Sequence, residues 1–303
     1  MCGIAGAFGP TRLHPRAAVL AALAHRGPDD SHHVQLEQGW LGVRRLSIVD
    51  IEGGRQPVRS GRITVAMNGE VYNHGPLRRE LEANGRVFHA QSDTEVVAAL
   101  IDEVGIDRAL ERMEGQFAIA ASDGRQLWLA RDRLGQKPLY WTMRGEELRF
   151  GSELKALLSW PDQPRSLDRV GLQQLLMWEY IPAPRSIYEG VQKLARGSLL
   201  HLEQGRIQQR TWWRPPLPSD HRGLGRERWA QSVRTAMYAA TRKRVQTELP
   251  IAVLLSGGID SSIVAAQVRA QRAETLNTFS VVFPGQPSFD ESGPARRMAD
   301  HLQ

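Results

Sequence analysis

Ile251-Ala252-Val253-Leu254-Leu255-Ser256-Gly257-Gly258-Ile259-Asp260-Ser261-Ser262 changes character at Ser256. The residues before it form an apolar run of strand length, and those after the paired glycines read as a helix from Ser262 to about Arg272. A β-rich run from Thr278 to Phe283 comes next, so strand, turn, helix and strand make a βαβ unit. Glycines let the backbone approach a ligand closely, and the N–H groups opening a helix favour anions, so the turn suits a phosphate. A Gly-Gly turn can also merely join strand to helix, but the apolar strand before it and the serines after it favour phosphate. No Gly-Lys-Ser/Thr is present, so this is not a Walker A loop.

On either side of this unit lie a helix from about Glu227 to Val245 and another from Asp290 to Leu302. Two parallel strands and their helices leave an α/β sheet incomplete, because such sheets usually carry about four to six strands. The sequence therefore reads as a fragment or truncation. Upstream, Gln204 to Gly225 is rich in Arg, Pro, Gly and Gln, and Pro215-Pro216 and Pro218 exclude regular helix or central strand. The expected organisation is a first domain over 1–203, a linker over 204–226 and the N-terminal part of a second domain over 227–303.

The first domain alternates short β-rich runs with turns. Ile4 to Phe8, Arg62 to Met67, Phe117 to Ala121, Leu127 to Ala130 and Leu199 to Leu202 read as strands, with Asp123-Gly124 as a hairpin signal. Leu77 to Asn84 and Thr94 to Val104 read as helices stopped by Gly85 and Gly105. Ser92 and Glu95 have capping-box spacing, which puts Asp93 in the first turn of the second of these helices.

The 303 residues are 41% hydrophobic and 24% charged, which fits a folded globular chain rather than a disordered or fibrous one. No apolar run approaches the roughly 20 residues of a membrane span, and the amino terminus lacks a signal peptide pattern, so a cytoplasmic location is expected. The formal charge of +6 comes from scattered arginines, densest around 206–244, and nucleic acid is not an expected partner. A nucleic-acid-binding protein on a degenerate nucleotide fold is the contrasting reading, and it predicts steeply salt-dependent binding. The single cysteine, Cys2, excludes an intramolecular disulfide and a Cys-rich zinc site.

Cys2 follows the initiator Met, and removal of Met1 would place a thiol and a free α-amine on one residue. An α-amine titrating at about 7.7 to 8.0 can take the thiol proton near neutrality, so no catalytic His is required. A lone second-position Cys is more often a small buried hydrophobe. Its company decides otherwise. Met1-Cys2-Gly3-Ile4-Ala5-Gly6 is followed by His25-Arg26-Gly27-Pro28-Asp29, Arg45-Leu46-Ser47-Ile48-Val49-Asp50, Asn68-Gly69-Glu70-Val71-Tyr72-Asn73 and Ser92-Asp93-Thr94-Glu95. In this order the motifs resemble the class II glutamine amidotransferase domain. With Arg131-Asp132-Arg133-Leu134-Gly135, Gly151-Ser152-Glu153-Leu154-Lys155 and the Ser256 loop, the whole chain resembles the glutamine-hydrolysing asparagine synthetase family.

The resemblance implies an α+β N-terminal nucleophile-type glutaminase domain, an αββα sandwich, followed by the start of an α/β parallel-sheet ATP pyrophosphatase domain. It makes Cys2 the nucleophile and Asn68 and Gly69 the oxyanion donors, although Asn68-Gly69 alone would read as a hairpin turn. Arg45 would meet the α-carboxylate of glutamine and Asp93 its α-ammonium, with Leu46, Ile48, Val49 and Glu70 lining the pocket. The plainer alternatives are a solvated arginine at a strand end and a simple cap residue. His25 and Arg26 read as supports rather than chemical groups. In the second domain, Ser256, Gly257, Gly258, Asp260, Ser261 and Ser262 would surround the phosphates of ATP, with Mg²⁺, and Leu255 and Val281 would meet the adenosine. No metal ligand is assigned. The implied substrates are glutamine, ATP and aspartate, the last activated as an acyl-adenylate and amidated by ammonia to give asparagine. Another carboxylate acceptor, or glutaminase activity alone from a truncated chain, are the alternatives, and a homodimer is left open.

Overall fold

The computed structural model describes residues 2–10, 15–216, 225–247, 249–272, 274–283, 285 and 290–302. The chain divides into two compact units between Pro215 and Pro216. In the first, β1 (Gly3–Phe8) and α1 (Arg16–Ala21) precede the hairpin of β2 (Asp30–Leu36) and β3 (Gly39–Arg45). The strands β4 (Val58–Ser60) and β5 (Ile63–Val71) lead to α2 (His74–Ala83) and α3 (Asp93–Arg112). Two more hairpins come after these helices, β6 (Gly115–Ser122) with β7 (Gln126–Arg131) and β8 (Tyr140–Arg144) with β9 (Glu147–Gly151). After α4 (Leu154–Leu158) and α5 (Arg169–Trp178), the unit ends in β10 (Val191–Lys193), β11 (Ser198–Glu203) and β12 (Arg206–Thr211).

These strands form two six-stranded sheets, ordered β10-β8-β9-β1-β3-β2 and β12-β11-β7-β6-β5-β4. Their stacking follows from the period-two alternation of side chains. From β1, Ile4 and Phe8 point between the sheets, where they join Leu41, Val43 and Phe150 on one side and Ala66, Ala118, Ala120 and Leu129 on the other. Ala5 and Ala7 point the opposite way, into a cluster with Val19, Leu20, Leu23, Ala156 and Trp160 around α1 and α4. On the second sheet, Val65, Met67, Ile119 and Ala121 turn outward onto Val96, Val97 and Leu100 of α3. The layers are therefore helix, sheet, sheet, helix. Burying a large aliphatic side chain in such a core contributes about 1.5–3 kcal/mol, so a one-residue slip of β1, which would exchange its two faces, is strongly disfavoured.

The structure revises several expectations. Asn68-Gly69 is not a turn but lies inside β5, paired with Ala118 and Phe117. Gly105 does break the helix as expected, with a non-helical backbone at φ +78°, but a second helical segment follows directly within α3, with Ile106, Ala109 and Leu110 buried. The Ser92 hydroxyl does cap the N–H of Thr94, but the Glu95 carboxylate accepts from His89 and Ala90 instead of closing a reciprocal box. Residues 206–211, expected to be linker, pair with β11 as an edge strand. Its sequence, Arg206-Ile207-Gln208-Gln209-Arg210-Thr211, is almost wholly polar, and that hid it. Residues 217–224 of the expected linker, and Met1, lie outside the described residues.

In the second unit, α6 (Arg226–Arg244) precedes β13 (Ala252–Leu254), α7 (Ile259–Gln271), β14 (Asn277–Phe279) and α8 (Ser292–Leu302). β13 and β14 pair in parallel, so the βαβ unit is present. A small core of Val245, Val253, Leu255, Ala265, Val268 and Ala295 holds it together. The second strand is shorter than expected, ending at Phe279, and Val281 lies beyond it. Among the described residues, no helix is long and apolar enough to cross a membrane.

Candidate active site

The alternation that builds the sandwich also places its chemistry. Cys2 shares the parity of Ile4, and Asn68 that of Ala66; Ile4 and Ala66 both belong to the cluster between the sheets. A thiol preceding a strand of one sheet and an amide from the other are thus brought to the same side of their strands. Both line a single hollow with Arg45, Leu46, Ile48, Val49, Gly69, Glu70 and Asp93, so the structure gathers every residue expected of a glutamine pocket. The hollow contains about 570 Å³ of empty space including its open mouth.

The Cys2 thiol lies 3.7 Å from the Leu46 carbonyl oxygen. The Asn68 side chain is 1% exposed, yet neither its Nδ2 nor its Oδ1 has a hydrogen-bond partner. An orphaned buried amide costs about 1–3 kcal/mol, which points to a group held ready for something not yet bound. Gly69 next to it has φ +148°, and a Cβ there would stand 2.0 Å from the Gln116 carbonyl oxygen. Only glycine lets β5 pass so close to β6.

Asp93 is 4% exposed at the start of α3. Burial pushes its carboxyl above the usual carboxylate range, while the Val71 N–H, the nearby His74 and Thr94 pull it back. Its Oδ2 accepts from Val71 at 2.9 Å. An arriving ammonium would relieve the cost of that buried charge. Arg45 donates from Nη1 to the Ile51 carbonyl at 3.0 Å and from Nη2 to the carbonyls of Val49 and Asp50 at 3.0 and 2.5 Å. It therefore shapes the loop after β3 as well as lining the pocket.

Five lining residues are not among those expected to line the pocket: Gly54, Gln56, Gln116, Lys137 and Ser92, the last read from sequence only as a helix cap. Lys137 is the most telling, because burial, with Arg26 adding to it, draws its ammonium below the usual range, against the pull of Asp132, Cys2 and Glu70. Its placement rests on the Arg131-Asp132 pair. Asp132 accepts from the N–H groups of Phe117, Leu134, Gln136 and Lys137, and Arg131 holds the carbonyls of Gly135, Lys137 and Leu194. The run Arg131 to Gly135 was a signal for this loop, but not for the lysine it delivers.

In the second unit, Ser256, Gly257, Gly258, Ser261 and Ser262 surround the turn into α7. The Ser256 and Ser261 hydroxyls lie 3.0 Å apart, and Gly258 N–H donates to Ser256 Oγ at 3.3 Å. Gly257 has φ +78°, and a Cβ there would meet Pro294 and Ala295 at 2.5 Å, so the turn packs tightly on the start of α8. Asp260 stands exposed in the first turn of α7. Leu255 is a core residue, only 2% exposed, so it presents its backbone rather than its side chain. Val281 is 69% exposed beyond β14. No cluster of metal-ligating side chains occurs among the described residues.

Residues 1–213 match the family described as glutamine amidotransferase domain, and residues 232–303 match the asparagine synthase family. The chain belongs to the asparagine synthetase family of glutamine amidotransferases. This family member is 33% identical, over its whole length, to a Bacillus subtilis protein named asparagine synthetase (glutamine-hydrolyzing) 1, covering 49% of that protein. It is 32% identical over 93% of its length to a Penicillium rubens protein named amidase chyE, covering 44% of it. It thus spans about half the length of the curated relatives it matches. Among solved structures, glutamine phosphoribosylpyrophosphate amidotransferase from B. subtilis aligns over 92% of this chain and 65% of its own with a TM-score of 0.52 at 18% identity. That likeness concerns the fold alone. It shows that the layered unit shares the fold of that amidotransferase.

Proposed function

We propose that this asparagine synthetase-family chain hydrolyses glutamine at Cys2 and forms part of an enzyme that passes the ammonia to a carboxylate acceptor. The observation that carries the reading is the buried, partnerless Asn68 amide in the hollow that the Cys2 thiol also lines. Arg45 would take the α-carboxylate of glutamine and Asp93 its α-ammonium, which fixes the side-chain amide near the thiol. With Met1 removed, the α-amine of Cys2 accepts the thiol proton and Sγ attacks the amide carbon. The oxyanion that forms meets the Asn68 amide N–H and the Gly69 backbone N–H. The amine returns the proton as ammonia leaves, and water then cleaves the thioester to give glutamate.

The turn at Ser256 fits a polyanion: its serine hydroxyls and helix-opening N–H groups are donors, and Asp260 is the carboxylate available for Mg²⁺. ATP held there by Ser256, Gly257, Gly258, Ser261 and Ser262 would supply the activation that lets a carboxylate, aspartate in an asparagine synthetase, accept ammonia. Leu255 and Val281 would border the adenosine, the former through its backbone. A second reading takes the acceptor to be a carboxylate other than aspartate; the chain is about as similar to a protein named amidase as to those named asparagine synthetase. A cytoplasmic location fits either.

The test is glutamate and ammonia release by this chain and by Cys2→Ala, with mass spectrometry of the amino terminus. Release by the processed wild type and none by the variant is expected. Equal release by both, or none from a processed and folded wild type, would overturn the proposal.

A further inference from the structure

A nucleophile carried by the first residue of a chain has to be held still. Strand β1 begins at Gly3, whose partner is Arg44, so Cys2 lies outside the ladder. Once Met1 is removed, thiol and amine both hang from a terminal residue with no peptide before it. Its carbonyl, however, accepts a hydrogen bond from Arg26 Nε at 2.9 Å. Gly3 leaves room for this arginine, since a Cβ there would stand 3.3 Å from Arg26 Cδ.

Arg26 is itself gripped. Its Nη1 donates to Glu153 Oε1 at 2.8 Å, and the same oxygen lies 3.0 Å from His25 Nε2. The other carboxylate oxygen pairs with Lys155 Nζ at 3.1 Å. Against the push of partial burial, hydrogen bonds from Arg26, His25 and Lys155 hold the Glu153 carboxyl down at about 2, so it is ionised wherever the protein works. The backbone carrying Glu153 is tied to the nucleophile's own strand. Ser152 N–H donates to the Ile4 carbonyl at 2.8 Å, and Ile4 N–H donates to Ser152 Oγ at 2.9 Å. Ser152 is fully buried.

We propose that Glu153 is a positioning residue for glutamine hydrolysis, acting through Arg26 on the Cys2 carbonyl, a role that rests on the glutaminase reading of Cys2. The double tie at Ser152 sets the carboxylate relative to β1, the carboxylate sets the guanidinium, and the guanidinium fixes the rotation of Cys2 about its bond to the carbonyl carbon. That rotation decides whether Sγ faces the Asn68 amide. Glu153 is absent from the residues lining the pocket, so the expected effect of its loss is on turnover rather than on glutamine binding.

Glu153→Gln, made in the full chain and in an Arg26→Lys background, separates the cases. Small misplacements of a nucleophile cost roughly ten- to a hundredfold in rate. In the native background kcat should fall by about tenfold or more while KM for glutamine stays within about twofold, a split that general loosening of the fold does not produce. In the Arg26→Lys background the substitution should cost little further, because the route through Arg26 is already cut. Thiol titration of the single cysteine confirms equal amounts of nucleophile. Should Glu153→Gln lose its cooperative melt, Glu153→Asp carries the same comparison. An unchanged kcat, or an equal loss in both backgrounds, overturns the proposal while leaving an active wild type to support the glutaminase reading. A processed, folded wild type that releases no glutamate refutes both.

Discussion

Asn68→Ala should separate stability from activity. In the native protein the amide is buried with both polar atoms orphaned, a state that costs about 1–3 kcal/mol. Truncation removes that cost and forfeits packing worth about 1 kcal/mol, so the folded state should be unchanged or slightly more stable. The transition state loses an oxyanion donor, a loss of about 2.7–4 kcal/mol that lowers kcat by roughly 10²–10³-fold. KM should move little, because Arg45 and Asp93 remain to hold the amino acid head. Initial rates of glutamate release over a glutamine series give kcat and KM, and urea unfolding followed by circular dichroism gives stability. Asn68→Asp, nearly isosteric, should lose at least as much rate by setting an anion beside the developing oxyanion. A kcat within about threefold of wild type in Asn68→Ala would refute the oxyanion role, and destabilisation beyond about 2 kcal/mol would show that the amide serves the fold.

Asp93→Asn should raise KM for glutamine by roughly ten- to a hundredfold, the equivalent of a lost charge-assisted contact of about 1.5–3 kcal/mol, as read from the same initial rates. The folded carboxyl of Asp93 titrates above its ordinary value, so its stabilising contribution is complete at low pH and disappears as pH rises through the folded pKa. Asp93→Asn should accordingly be at least as stable as wild type at pH 7 and lose that advantage on acidification, as measured by urea midpoints. Gly69→Ala should destabilise by more than about 2 kcal/mol, since its Cβ would fall 2.0 Å from the Gln116 carbonyl oxygen; an unchanged urea midpoint would contradict the close approach of β5 and β6.

The parts of the molecule legible in sequence are those where one residue type has one job. Ile4 to Phe8 shows the hydrophobic content of a strand buried on both faces, and the structure buries all of β1. The strand β2, Asp30-Ser31-His32-His33-Val34-Gln35-Leu36, is largely solvent-facing and at a sheet edge, so pairing rather than burial makes it a strand and its residues carry little signal. The same holds for β12. Gly105 was legible as a helix stop because glycine at positive φ usually is one, while the second helical segment directly beyond it, which buries Ile106, Ala109 and Leu110, was not. At the site, the linear motifs already named the residues that converge around Cys2. Lys137 escaped because its position depends on the fold of the loop around Asp132, whose carboxylate gathers N–H groups from Phe117 to Lys137. In the second unit the loop was legible from its glycines, while the end of β14 was not, since Ser280 to Phe283 remain β-compatible but exposed.

Because Cys2 directly precedes a strand of one sheet and Asn68 lies in the other, the interval between attacking sulfur and receiving amide is set by what lies between the sheets. The sandwich acts as a caliper whose jaws are β1 and β5 and whose spacers are Ile4, Phe8, Phe150 and the alanines at 66, 118 and 120. A substitution in that layer, made far from the pocket, shifts the reading of the caliper before it unfolds the protein, so turnover is a finer gauge of core packing here than any melting curve.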